Sequence, residues 1–272
     1  MRRARRIPDA AGLQLEAVLL AGGLRALLLQ LAHPAIGHGV AAHSDFAVDP
    51  LARLRHTLLY VYVVAADAPT ADAVTARIDR LHARVVSGPD APVRYDAADP
   101  ELQLWVAATI ADTALRIADA VWGPLPGSLE DELLARFGAI GTRLGLPRER
   151  WPASRSEFDA TFREAATALR LDDTTRAVVA ELFAARTTPP WVRFALPFLV
   201  AATLPTLPGL GDRLVPLVPV RRPDLTPLVR PLARLYRALP TTLRHLPATR
   251  LLARERARVR VRPRAGRVGA ET

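Results

Sequence analysis

The residue types that this sequence lacks are those that most often hold metals or act as nucleophiles. Cysteine is absent from all 272 residues, which excludes disulfides, thiolate metal sites and a cysteine nucleophile. Lysine is also absent, which excludes Schiff-base chemistry and a lysine general base. A metal ion would therefore be bound by histidine, carboxylate or tyrosine. The absence of cysteine is consistent with a reducing compartment, and we predict a cytoplasmic protein.

A signal peptide and a straight membrane span are not predicted either. The apolar run from Leu13 to Ile36 carries Gly22, Gly23 and Arg25 near its middle, and no small-residue cleavage site follows a compact apolar core. Since its first part, residues 13–32, is apolar nearly all round, we predict a buried helix there.

Helix start and stop signals recur along the chain and predict an all-α protein. Asp99-Pro100 marks the start of a helix that runs through Trp122, and Thr70 is placed to cap one that runs to about Ser87. No alternating run bounded by turn signals occurs before residue 187, so we predict few or no strands. We place a single domain at residues 10–250, with its helical core at 13–185.

The C-terminal third differs in composition from the core. Prolines recur every few residues from 187 to 247, which predicts short or kinked helices. The apolar segment Trp191–Leu210 has two interpretations, packing on the core or shallow contact with a membrane or subunit. Residues 251–272 are rich in arginine and lack apolar periodicity, and we predict a basic, disordered tail.

His82 has the most informative position of the six histidines. Val74, Ile78, Leu81 and Val85 are spaced by four, three and four residues, which places them on one face of a helix. His82 stands four residues after Ile78 and falls on the same face. From this pattern alone two interpretations stay open: a core histidine bonded to a backbone carbonyl, or the axial ligand of a b-type haem.

A second group of polar residues shares one sector of a predicted helix. Arg53, His56, Thr57 and Tyr60 are separated by three or four residues. The apolar residues that follow, 58–64, favour a buried helix over a solvated face, so that Thr57 and Tyr60 are expected inside. Buried hydroxyls need partners, and a cofactor with bound oxygen would supply them.

Two further groups of residues are weaker candidates for a functional site. His38, His43 and Asp45 have the composition of a two-histidine, one-carboxylate iron site. Thr109 and Thr113, four residues apart on an apolar helix, fit a pocket wall, but equally fit threonines that bond back to their own helix.

Several short motifs follow one another in a recognisable order between residues 13 and 185. They include Gln30-Leu31-Ala32-His33-Pro34, His43-Ser44-Asp45-Phe46, Asp49-Pro50-Leu51, Arg53-Leu54-Arg55-His56-Thr57-Leu58, Tyr95-Asp96, Asp99-Pro100, Leu104-Trp105-Val106, Gly123-Pro124-Leu125 and Leu144-Gly145-Leu146-Pro147. This order resembles the MpaB-type oxygenase family, whose best-understood members are the latex-clearing rubber oxygenases. The likeness is looser in the proline-rich third.

The resemblance implies a globin-like helical fold, one b-type haem, and dioxygen chemistry on a hydrophobic, often isoprenoid, substrate. By position His82 matches the proximal iron ligand, and Arg53 and Thr57 match the distal-side pair. His56 stands where rubber oxygenases have lysine and many relatives have arginine, so a second imidazole on the iron is an alternative. We also predict that Tyr60 and Thr109 line the cofactor site.

The resulting hypothesis is a haem-dependent oxygenase with a hydrophobic substrate, dioxygen and an unidentified reductant as partners. Arg53, His56 and Thr57 would be its catalytic residues. A second hypothesis is a haem sensor or carrier whose iron is closed by His56 and His82. A third is a membrane-surface or nucleic-acid binding protein that uses the arginine-rich tail. Few aromatic residues lie among these arginines, so no specific nucleic-acid partner is predicted, while peripheral membrane association stays open.

Overall fold

The computed structural model describes residues 7–43, 58–64, 67–184, 190–218 and 224–261. This part of the chain is α-helical and holds no β-strand, only an isolated bridge between Val86 and Asp96. The all-α prediction is therefore confirmed. The helices are α1 (Ala10–Gln14), α2 (Gly23–Leu31), α3 (Pro34–His43), α4 (58–63), α5 (Ala68–His82), α6 (Pro100–Trp122), α7 (Gly127–Thr142), α8 (Arg155–Ala166), α9 (Asp173–Ala184), α10 (Pro190–Thr203), α11 (Gly211–Leu214), α12 (Thr226–Ala238), α13 (Thr241–Arg244) and α14 (Leu246–Val261).

Helix α6 is central, and it has the predicted bounds. The Asp99 carboxylate accepts a hydrogen bond from the Glu101 amide, and Pro100 occupies the first turn, where its missing N–H costs nothing. The helix ends at Trp122, and the next residue, Gly123, has a φ of 87°, which favours glycine. Helices α2, α7 and α12 pack against α6, so that it carries buried side chains along most of its length.

Two predicted helices are shorter than expected. The run 13–32 divides into α1, a 3₁₀ segment (Ala17–Gly22) and α2, which begins at Gly23. Helix α5 is capped by Asp67, to which the Thr70 amide and hydroxyl both donate, and it ends at His82 instead of Ser87. It stops early because the next residues pair with the chain that precedes α6: the Ala97 amide donates to Val85, and the Ser87 amide donates to Tyr95.

The proline-rich third has several of the predicted short helices, and prolines also lie inside two longer ones. Pro197 lies inside α10 and Pro231 inside α12, and the segments between them are single turns. The prediction of a disordered tail from residue 251 is wrong for its first part, because α14 continues to Val261. Leu252 and Glu255 anchor this helix, being 7% and 3% exposed. The rest of the predicted tail, 262–272, lies outside the described residues.

Two apolar segments bear on the question of membrane spans. Within the described ranges no single helix has both the length and the apolar character needed to cross a bilayer. The segments Ala17–Leu31 and Pro34–His43 are long and apolar enough for a membrane span only when they are taken together, and the chain bends by 101° between them.

Candidate functional site

A small apolar cavity lies where the 3₁₀ segment, α2, α4, α6 and α7 meet. Its volume is about 60 Å³, and its wall includes Leu27, Leu58, Val61 and Phe137. Gln30 and Thr113 also line it and supply its polar atoms. A cavity of about 150 Å³ holds a benzene molecule, so this one has room for only a short apolar segment.

A buried ion pair lies close to this cavity. The Arg25 guanidinium of α2 contacts the Asp112 carboxylate of α6 at 2.5 Å, and these side chains are 5% and 3% exposed. Arg25 also donates to the Thr113 hydroxyl at 2.8 Å and to the Thr206 hydroxyl at 3.1 Å. Arg116, one turn along α6, contacts the same carboxylate at 3.0 Å from a half-exposed position. Burial lowers the pKa of Arg25, and the Asp112 charge opposes this effect.

The hydroxyls predicted on the pocket wall are satisfied by the protein itself. Thr109 is fully buried, donates to the Val106 carbonyl at 2.7 Å and accepts from the Gln30 amide at 3.0 Å. Thr113 donates to the Thr109 carbonyl, as threonines within helices commonly do. The interpretation as back-bonded threonines is therefore confirmed, and of the two only Thr113 borders the cavity.

The predicted distal residues lie on the segment that leads into α4. Arg53, His56 and Thr57 fall outside the described residues. Leu58, the next residue in sequence, lines the cavity. Tyr60 is buried as predicted, but its hydroxyl donates to the Ile140 carbonyl at 3.1 Å and already has a partner in the chain. Burial raises the pKa of Tyr60 to about 12.

His82 is the last residue of α5 and is partly buried. The predicted inward face holds for Val74, which is 2% exposed, and for Ile78, which packs against the core. It fails at Leu81, which is 58% exposed. Val86 is also exposed, at 47%, so the imidazole has large apolar side chains on both sides in sequence.

The remaining histidines of the N-terminal half point to different partners. His38 contacts Asp172 at 2.8 Å, and His43 contacts the Tyr95 hydroxyl at 3.0 Å. Nowhere in the described ranges are three or more histidine or acidic side chains placed to hold a metal ion. Asp45, the third member of the predicted iron site, lies outside those ranges. Burial lowers the pKa of His33, whose Nδ1 has no hydrogen-bond partner among the described residues.

The residues that sequence reasoning missed are Arg25, Asp112 and Gln30. Each is a polar side chain on a largely apolar helix, and each is at most 5% exposed. A charge on a largely apolar helix is a usable signal, because a buried charge is normally paired. The partners could not be assigned from sequence, since Arg25 and Asp112 lie 87 positions apart.

Together these features define an all-helical protein with a small apolar cavity, a buried ion pair beside it, and a partly buried histidine at a helix end. The chain belongs to the family described as ER-bound oxygenase mpaB/B'/Rubber oxygenase, catalytic domain, whose profile matches residues 12–264. The resemblance drawn from the short motifs is thus confirmed at family level. The description of this family names oxygenases.

Two curated relatives are similar to this chain, an uncharacterized protein of Mycobacterium bovis and an uncharacterized protein of Mycobacterium tuberculosis. Each is 30% identical over 151 residues, which are 54% of this chain and 59% of the relative. The chain therefore spans about three-fifths of the curated relatives that it matches. No solved structure matches it.

Proposed function

We propose that this protein is a b-type haem-dependent oxygenase that acts with dioxygen on a hydrophobic substrate, an isoprenoid or another alkene. The observation that carries the proposal is the position of His82, a partly buried imidazole at a helix end in a chain of the oxygenase family. Cysteine is absent, so histidine is the expected axial ligand.

The residue types next to His82 in sequence support the assignment of a haem to it. A haem needs one nitrogen donor and apolar side chains against its faces. The imidazole supplies the donor, and the exposed Leu81 and Val86 are large apolar side chains close to it in sequence. The apolar cavity of about 60 Å³ is too small for such a group, since pockets for ligands of this size measure several hundred Å³. We therefore assign the haem to the His82 end of α5 and not to the cavity.

The chain's own residues would bind, orient and exclude water. Activation of dioxygen is the chemistry that the haem iron supplies when bound. His82 would hold the iron through one ring nitrogen. Arg53, His56 and Thr57 are the predicted distal donors, and they would position oxygen and substrate through hydrogen bonds. The apolar cavity next to Leu58 would hold an apolar part of the substrate away from water.

Whether a reductant is needed depends on how many oxygen atoms of O₂ enter the substrate. Cleavage of a carbon–carbon double bond by O₂ into two carbonyl products takes up both oxygen atoms and needs no added electrons. Insertion of a single oxygen atom into the substrate, with the other released as water, needs two electrons and two protons. The unidentified reductant belongs only to the second outcome.

The test is the absorption spectrum of purified protein supplied with haem, recorded in the ferric, ferrous and ferrous-CO forms. We expect a Soret band and a shift with CO, and we expect His82→Ala to lose haem retention. His43→Ala is the matched control, because that imidazole is exposed and should leave the spectrum unchanged. Absence of a Soret band in the wild-type protein would refute the proposal. An unchanged spectrum in His82→Ala would remove the ligand assignment.

The same spectra distinguish the alternatives. A low-spin spectrum that CO cannot change would favour the sensor or carrier closed by His56 and His82. In that case His56→Ala should open the iron to CO. Iron retained without a Soret band, and lost in His43→Ala, would favour a non-haem site.

A further inference from the structure

The exposed face of α12 carries a stripe of leucines. Leu228, Leu232 and Leu235 are separated by four and three residues, which aligns them along one side of the helix, and Leu239, the residue after its end, follows four residues later. Such side chains usually face a core, but here each is at least 40% exposed. The values are 46% for Leu228, 57% for Leu232, 64% for Leu235 and 40% for Leu239. We call these four residues the leucine stripe.

The other side of α12 is fixed to the body of the protein, so the helix cannot rotate to bury the stripe. Ala233 is 8% exposed and faces inward. The Tyr236 hydroxyl donates to the Glu16 carboxylate at 2.6 Å and accepts from the Val18 amide at 3.1 Å. Arg237 donates to the Val121 carbonyl at the end of α6. The stripe is therefore held outward by contacts on the opposite flank.

The sequence around the stripe is uniformly basic. No acidic residue occurs between Asp224 and Glu255, whereas six arginines do: Arg230, Arg234, Arg237, Arg244, Arg250 and Arg254. Arg244 is paired with the buried Glu16. Arg230 and Arg234 lie on the polar side of α12, are exposed, and form no ion pair within the described ranges. A helix with exposed leucines on one side and free arginines on the other is typical of interfacial membrane helices.

We propose that the leucine stripe docks this protein on the surface of a bilayer that contains acidic phospholipids. The leucines would enter the boundary between headgroups and acyl chains, and the arginines of the same segment would be attracted by the anionic surface. Charge favours this partner over a second copy of the chain. A symmetric pair of stripes would bring two basic segments together, whereas an anionic surface compensates the charge. The inference does not depend on haem binding.

The test is sedimentation of the full chain with vesicles of phosphatidylcholine alone and of phosphatidylcholine with 30 mol% phosphatidylglycerol. We expect the wild-type protein to partition onto the anionic vesicles, more weakly as salt rises. The variant L232S/L235S should lose about tenfold or more of its partition coefficient, because two half-exposed leucines no longer enter the bilayer. The variant R230Q/R234Q should lose about fivefold or more on anionic vesicles, with a weaker dependence on salt.

The controls distinguish binding through the leucine stripe from binding through the basic tail, and from a loss of binding caused by misfolding. The arginines beyond residue 254 are present in every variant, so binding through them alone would leave L232S/L235S equal to wild type. Ala160→Ser changes an exposed residue of α8 and should leave partition unaltered. Since the replaced leucines are exposed, all variants should melt within a few degrees of wild type.

Three results would overturn the proposal. The first is a wild-type protein that stays in solution with anionic vesicles. The second is equal partition of wild type and L232S/L235S. The third is a wild-type dimer, detected by light scattering after size exclusion, that L232S/L235S dissociates while neither protein binds vesicles. That last result would assign the stripe to a second copy of the chain.

Discussion

Replacing Asp112 with asparagine removes the charge that faces the Arg25 guanidinium while it keeps the shape of the side chain and one acceptor oxygen. The pair is almost fully buried, at 5% and 3% exposure. Breaking a buried pair by removing one partner costs about 3–5 kcal/mol, because the other charge is left without compensation. Arg25 keeps its bonds to Thr113 and Thr206, so we expect the low end of that range, about 3 kcal/mol.

The structure predicts an asymmetry between the two partners. If Arg25 is replaced by methionine, Asp112 still has Arg116 at 3.0 Å and remains paired. Thr113 and Thr206 keep their bonds to the carbonyls of Thr109 and Thr203. We therefore expect Arg25→Met to lower the free energy of unfolding by only about 1–2 kcal/mol. In the double variant no buried guanidinium is left uncompensated, so it should be more stable than Asp112→Asn alone.

The assay is equilibrium unfolding in urea, with the four proteins of the double-mutant cycle measured at one pH and salt concentration. A loss below about 1 kcal/mol in Asp112→Asn would refute the reasoning, since it would mean that water or a rearranged side chain compensates Arg25. Additive losses in the double variant would refute it equally, because the two groups would then act independently.

Three further substitutions test single contacts by the same unfolding assay. Tyr60→Phe should cost about 1 kcal/mol, because the Ile140 carbonyl loses its donor. Tyr62→Phe should cost nothing measurable or stabilise, because that buried hydroxyl has no partner among the described residues. Burial lowers the pKa of His33, so stability should fall as pH drops below about 6.5, where the unfolded chain takes up the proton first. His33→Gln should reduce that slope, and an unchanged slope would contradict the assignment.

The predictions that held rest on short-range chemistry. The bounds of α6 follow from Asp99-Pro100 at its start and from glycine after Trp122 at its end. The predictions that failed depend on distant segments. Helix α5 stops at His82 because residues 85–87 bond to 95–97, and the basic tail begins as a helix because Leu252 and Glu255 are buried. Periodicity contains no information about those partners.

For the candidate site too, some features were predictable from the sequence and others required the folded structure. The order of motifs led to the oxygenase family and to His82, and the profile match confirms the family. The roles of Arg53, His56 and Thr57 stay predictions, since these residues lie outside the described ranges. The pairing of Arg25 with Asp112 required the folded structure, because a lone buried charge does not identify its counterion.

The sequence by itself therefore determined the all-α class, the ends of the best-capped helices and the family, because caps, apolar periodicity and motif order act over a few residues. Only the tertiary structure decided which apolar faces are covered. The leucine stripe of α12 has the spacing of a core face, yet it is exposed because α12 packs on α6 through its other side. Burial is a property of what packs against a residue, and that depends on the whole chain.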